Sequence, residues 1–186
     1  MFTSVCVPAY AAGTDVQSPD GRIKAEPLFE DIAPTNVETS YKDGRIITVT
    51  TYVLENGEVV TDTFERGINI GRSYEGSDTA TRSVDFPYVT YTLTASFKWW
   101  TSSGTPGGVG SWQSVECTSA YGSYKITNDN YALSNWAVSR SDGALAYGKA
   151  WAKASGDIHL AETTAAKHRN VLTIYCDDEG GISDTH

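Results

Sequence analysis

The stretch "ALAYGKAWAKAS", residues 144–155, admits two readings that lead to different folds. Alanine is the strongest helix former, so composition alone suggests a helix. Counting positions overrules composition. On a strand template the even positions are Ala144, Ala146, Gly148, Ala150, Ala152 and Ala154, all small, and the odd positions are Leu145, Tyr147, Lys149, Trp151, Lys153 and Ser155. On a helix template the small residues fall all the way round, Gly148 interrupts the middle, and the useful i,i+4 pair is Tyr147 with Trp151. The segment reads as a two-faced strand, with a small side that lets sheets approach and an aromatic and lysine side that faces solvent. Asp142-Gly143 stands where a hairpin turn belongs, making Tyr131–Arg140 its partner strand.

The rest of the chain follows the same period. In "VDFPYVTYTLTASFKWW", Val89, Tyr91, Leu93, Ala95, Phe97 and Trp99 alternate with Thr90, Thr92, Thr94, Ser96 and Lys98, which predicts a core strand with an unambiguous apolar side. Upstream, Asp43-Gly44 and Asn56-Gly57 separate three β-branched and aromatic runs, a meander over approximately Val37–Tyr41, Arg45–Leu54 and Glu58–Glu65. Residues 67–83 read as a polar connection with a short strand at Ile68–Ile70. The glycine-rich 104–110 forms a loop, and "SWQSVECTSAYGSYKI" resumes as one or two strands before a turn at Asn128–Asn130. Downstream, "DIHLAETTA" and "RNVLTIYCDDEGG" supply two more strands, with room for one helical turn in "ETTAAKHRN". About nine or ten strands without a sustained helix imply an all-β chain, an antiparallel β-sandwich with a partly closed β-barrel as the alternative.

A chain of 186 residues with 40% apolar content supports one domain, expected over 37–183. Residues 12–36 carry prolines at 19, 27 and 34 without periodicity and read as a flexible leader or spacer. The first residues are uncharged and end in Ala9-Tyr10-Ala11, the small-x-small pattern that precedes signal-peptidase cleavage, so residues 1–11 read as a signal-peptide remnant and the protein as secreted or cell-surface. A lipoprotein site at Cys6 is the weaker alternative, because Val5 precedes it where a small residue belongs. No stretch approaches the apolar length of a membrane span. The net charge of −9 and a pI near 4.7 argue against nucleic acid as a partner, since a polyanion is repelled over much of the surface.

Cleavage after Ala11 removes Cys6 and leaves Cys117 and Cys176, both in strand-like segments. In an exported chain these make a disulfide candidate, and a bridge closing so long a loop stabilises by roughly 4 kcal/mol. The alternative is two buried free thiols.

Signatures of catalysis are missing: there is no nucleophile elbow, zinc-binding helix pair or phosphate loop. His159 with one of many serines forms no distinctive pattern. The acidic "CDDEGG" at 176–181 and "NDN" at 128–130 offer oxygen ligands suited to calcium but lack the spacing of a dedicated loop, so no cofactor is expected and calcium stays a weak possibility.

The five tryptophans and eleven tyrosines exceed what one inner face needs. Trp100 points away from the core if Trp99 points in, and Trp112 follows the glycine loop. Tyr147 and Trp151 share the lysine-bearing face. Trp100, Trp112, Tyr147 and Trp151 are therefore the ligand-contact candidates, suited to stacking on sugar rings or anchoring a protein. The competing reading makes them cross-strand pairs covered by lysine stems. The expected function is a non-catalytic binding or cell-envelope interaction module whose partner is a cell-surface glycan or protein. A secreted toxin or bacteriocin-like, membrane-active β protein is the alternative, with a carbohydrate-active hydrolase third. In general look, Thr/Tyr/Ala-rich with a late strand ending in "CDDEGG", the chain resembles secreted proteins of Gram-positive bacteria without sharing a motif with them.

Overall fold

The computed structural model describes residues 32–68, 75–103, 110–162 and 168–184. All regular structure among them is strand: β1 (Asn36–Lys42), β2 (Arg45–Val53), β3 (Val59–Gly67), β4 (Gly76–Asp85), β5 (Val89–Ser103), β6 (Ser111–Ile126), β7 (Tyr131–Arg140), β8 (Leu145–Ala146), β9 (Lys149–Leu160), β10 (His168–Asp177) and β11 (Ile182–Ser183). Two antiparallel sheets form, one in the order β1-β2-β3-β4-β5-β6-β8 and one in the order β11-β10-β9-β7. Neither closes, so the fold is an antiparallel sandwich and the barrel alternative falls away.

The anticipated signal remnant at 1–11 and the leader up to residue 31 lie outside the described residues, as do the loop at 104–109 and residues 163–167 of the helical-turn segment. Most of the short strand expected at Ile68–Ile70 lies outside them too. Ile68 itself is exposed and not in a strand.

The core is the filling between the sheets. The six inward residues read from β5, Val89 to Trp99, are all buried, and they meet Ala150, Ala152 and Ala154 of β9 and Leu172, Ile174 and Cys176 of β10. The alanine side of residues 144–155 is thus buried from Ala150 onward. Burying so many side chains of this size at about 25 cal/mol per Å² is the main stabilising contribution of the fold.

Three expectations need correction. The first concerns residues 144–155, which are two strands. β8 pairs Leu145 with Val115 in the larger sheet, while β9 pairs with β7 and β10 in the smaller. The switch occurs at Tyr147-Gly148, where Tyr147 takes a positive φ of 50°. Gly148, which the strand template absorbed as one more small residue, is part of the corner, and Asp157–Leu160 continues β9 instead of starting another strand.

The second is β4, most of which lies in residues 67–83, the segment read as a polar connection. Its inward positions are Gly76, Asp78, Ala80, Arg82 and Val84, so charge and small size hide the apolar period. Arg82 is held in the interior by a bidentate pair with Asp62, Nη2 to Oδ2 at 2.6 Å, and donates from Nη1 to the carbonyls of Thr173 and Asp184. Burial raises the Asp62 pKa, and the Arg82 contact opposes it. This pair ties β3 and β4 to β10 and the segment after β11.

The third is the disulfide between Cys117 and Cys176. Both are buried free thiols, Cys117 on β6 and Cys176 on β10. Each thiol donates to a nearby carbonyl, of Ser119 and Asp177 respectively, and each packs as a small apolar residue. Burial pushes the Cys117 thiol up to about 11 and raises Cys176 as well.

Candidate functional site

Alternation on β5 sends Thr90, Thr92, Thr94, Ser96, Lys98, Trp100 and Ser102 to the outer face of the larger sheet, opposite the buried set. β4 matches them with Ser83, Thr81, Thr79 and Ser77. Their hydroxyls pair across the strands, Ser83 with Thr92 at 3.2 Å, Thr81 with Thr94 at 3.1 Å and Thr79 with Ser96 at 2.8 Å. The period-two threonines of "TYTLTAS" are the sequence signal of this hydroxyl-covered face.

Toward the end of the sheet that carries β8, the same face turns aromatic. Trp100 lies opposite Ser114, and Ser102 lies opposite Trp112. The two indoles therefore stand at opposite corners of a four-residue cell whose other corners are Ser102 and Ser114, and those hydroxyls are hydrogen-bonded at 3.2 Å. Strand twist draws the serine diagonal together and sets the indoles apart on either side of it. Ser114 is buried although it lies on an outer face, consistent with indoles on both sides of it.

Tyr147 completes this end. Its N–H donates to the carbonyl of Gln113, its hydroxyl donates to the carbonyl of Ser111 at 3.3 Å, and the residue is 72% exposed. A tyrosine in the left-handed region costs on the order of 1 kcal/mol, so the corner holds an aromatic ring outward at an expense in stability.

Between the hydroxyl rows and the indoles, Lys98 places Nζ 5.7 Å from the ring centroid of Trp100. Next to it runs an open groove of about 490 Å³ lined by Arg45, Ser77, Thr79, Ser96, Lys98 and Thr118, among others. Arg45 donates to the carbonyl of Thr79 and pairs with Glu65. None of the groove residues carries a motif. Their only sequence signal is the polar phase of two strands, one of which reads as a loop.

Trp151 does not join this cluster. It lies on the outer face of the smaller sheet opposite Tyr175, half-buried beneath Lys153 at 5.6 Å. Its backbone is fixed by Ser141, whose N–H and hydroxyl both bond it. Trp151 therefore fits the competing reading, a cross-strand aromatic covered by a lysine stem.

The other two tryptophans are structural. Trp99 fills the space left by Gly76 and Gly180, where a methyl group on either glycine would stand within 2.6 Å of its ring. Trp136 packs against Gly122 and Gly156, and its ring centroid lies 5.9 Å from that of Tyr91 and 5.3 Å from that of Tyr124. It reaches this position through a bulge at Asn135, φ 54°, held by a 2.6 Å bond from Asn135 to Asp157, which Arg169 also engages.

The oxygen groups considered for calcium serve local turns. Asp177 Oδ1 accepts the N–H groups of Glu179 and Gly181, and Asn128 Oδ1 accepts that of Asn130. His159 is half-buried, with Nδ1 3.0 Å from the carbonyl of Leu160. No protein-family model, curated protein or solved structure matches the chain.

Proposed function

We propose that this protein is a secreted, non-catalytic binding module that recognises a cell-surface glycan through the outer face of its larger sheet. The observation that carries this reading is the cell formed by Trp100, Ser102, Trp112 and Ser114, two indoles flanking a hydroxyl pair, with Tyr147 bonded to the backbone of Ser111 and Gln113 on either side of Trp112. Planar aromatics stack on the apolar faces of sugar rings while nearby hydroxyls meet the sugar's own, and both types of group occur here on one rigid sheet. The adjoining groove extends the surface with Ser77, Thr79, Ser96 and Thr118 hydroxyls and the cation of Lys98. Overall negative charge favours neutral glycans over anionic ones.

A glycan array probed with the full chain tests this, beside Trp100→Ala, Trp112→Ala and Trp151→Ala. Retention of a glycan that is lost with either of the first two and kept by the third supports the reading. Retention lost only with Trp151→Ala overturns the choice of face, and no retention on any glycan overturns the ligand class in favour of a protein partner.

A further inference from the structure

Among the described residues the larger sheet ends in β1 and β8, and the smaller in β11 and β7. β8 and β11 are two residues long, and β7 is interrupted by the Asn135 bulge and lies against β6. Short and bulged edges are how sheets avoid pairing with other chains. β1 has neither defence. It runs unbroken for seven residues, all exposed, at the end of the larger sheet.

The bonding pattern of that edge follows from its turn. Asp43 and Gly44, both at positive φ, form a two-residue hairpin loop, so Lys42 and Arg45 are a hydrogen-bonded pair. Counting back, Ser40, Glu38 and Asn36 bond to β2, and the N–H and C=O groups of Val37, Thr39 and Tyr41 point outward. The same three residues present their side chains on the inner face, where Val37 is 55% exposed and Tyr41 71%. The four-stranded sheet covers β4 to β6 and leaves this end of the face open.

We propose that β1 pairs with β1 of a second copy of this chain, antiparallel about a two-fold axis through Thr39, joining the two larger sheets into one. In this register every outward N–H and C=O of Val37, Thr39 and Tyr41 is satisfied, with Val37 of each copy opposite Tyr41 of the other. Thr39 meets itself across the axis, a favourable cross-strand pair. On the other face Lys42 falls opposite Asn36 and diagonal to Glu38 of the second copy, so the charges attract. A shift by two residues would oppose Val37 to Asp43 in the turn and lose this match. The segment is self-complementary, as a closed two-fold interface requires.

The test is the molar mass of the full chain by light scattering over a concentration series, with two sets of variants. The wild type should move from the 20.1 kDa monomer toward twice that mass. Thr39→Pro removes an N–H that points away from β2 and bonds nothing among the described residues, so it should stay monomeric with an unchanged melting temperature. Independently, in a Cys6→Ser background, Thr39→Cys should cross-link to a covalent dimer under mild oxidation. Its Cα atoms would lie about 5.5 Å apart across the axis, within the range a disulfide spans. Val37→Cys, facing Tyr41 and not itself, should not. A wild type monomeric throughout overturns the proposal. So does a Thr39→Pro variant that dimerises like the wild type, or cross-linking no faster at residue 39 than at 37.

Discussion

Replacing Ala154 with leucine tests how closely the two sheets approach. A methyl group on Gly122 would stand 3.3 Å from the Ala154 Cβ and 2.7 Å from Val138 Cγ2, so β6 and β9 are nearly in backbone contact here. Leucine adds three carbons. Had there been room, burying them would stabilise by roughly 2 kcal/mol at about 0.8 kcal/mol per methylene. Ala154 is fully buried and its neighbour is a glycine that cannot retract, so the carbons displace Trp136 or push the sheets apart. Overpacking of that kind costs about 1–3 kcal/mol, and with backbone as the obstacle the upper end is expected. Urea unfolding measures the difference, with Lys149→Leu on the exposed face of the same strand as a control that should change stability by less than about 0.5 kcal/mol. A neutral or stabilising Ala154→Leu would refute the close approach and with it the role given to the alanine side.

Three further outcomes follow from the geometry. Arg82→Met strands a buried Asp62 and should cost about 3–5 kcal/mol, while Arg82→Met with Asp62→Leu should recover most of it; equal losses would mean the pair is not buried. Because burial raises Asp62 and Arg82 opposes that rise, its removal raises Asp62 further. A raised carboxyl stabilises the fold at low pH and loses that contribution as pH rises through its folded pKa, so the Arg82→Met deficit should be smaller at pH 4 than at pH 7. Tyr147→Gly relieves a left-handed tyrosine and should leave the protein as stable or up to about 1 kcal/mol more so while weakening ligand retention; a clear loss of stability would make Tyr147 a packing residue. Thiol labelling with peptide mapping at pH 8 should leave Cys117 and Cys176 unmodified in the native protein and modify both in urea, since the burial that excludes the reagent also pushes both thiols up.

The sandwich itself was legible because most of its strands keep strict alternation. β5 reads from Val89 to Trp99 without error, and β7 spans the residues named for it. Alternation fails where the interior is not apolar, which hid β4 behind Asp78 and Arg82. It also fails where parity shifts without a local marker. The Asn135 bulge turns Trp136 inward, and the corner at Tyr147-Gly148 divides residues that share one phase in the sequence between two sheets, Leu145 in the larger and Trp151 in the smaller. Trp100 was placed correctly because its neighbour Trp99 sits on an unbroken strand. Its relation to Trp112 depends on the β5–β6 register across a loop, which no single segment encodes.

The central claim is that Trp100 and Trp112 form one recognition surface, and calorimetric titration of the double variant Trp100→Ala, Trp112→Ala with the glycan retained most strongly on the array tests it most directly. Two aromatic stacking contacts contribute together about 1–3 kcal/mol, so affinity should fall by roughly 5- to 150-fold. Trp151→Ala should bind as the wild type does. A double variant that keeps wild-type affinity, or an equal loss with Trp151→Ala, would contradict the account.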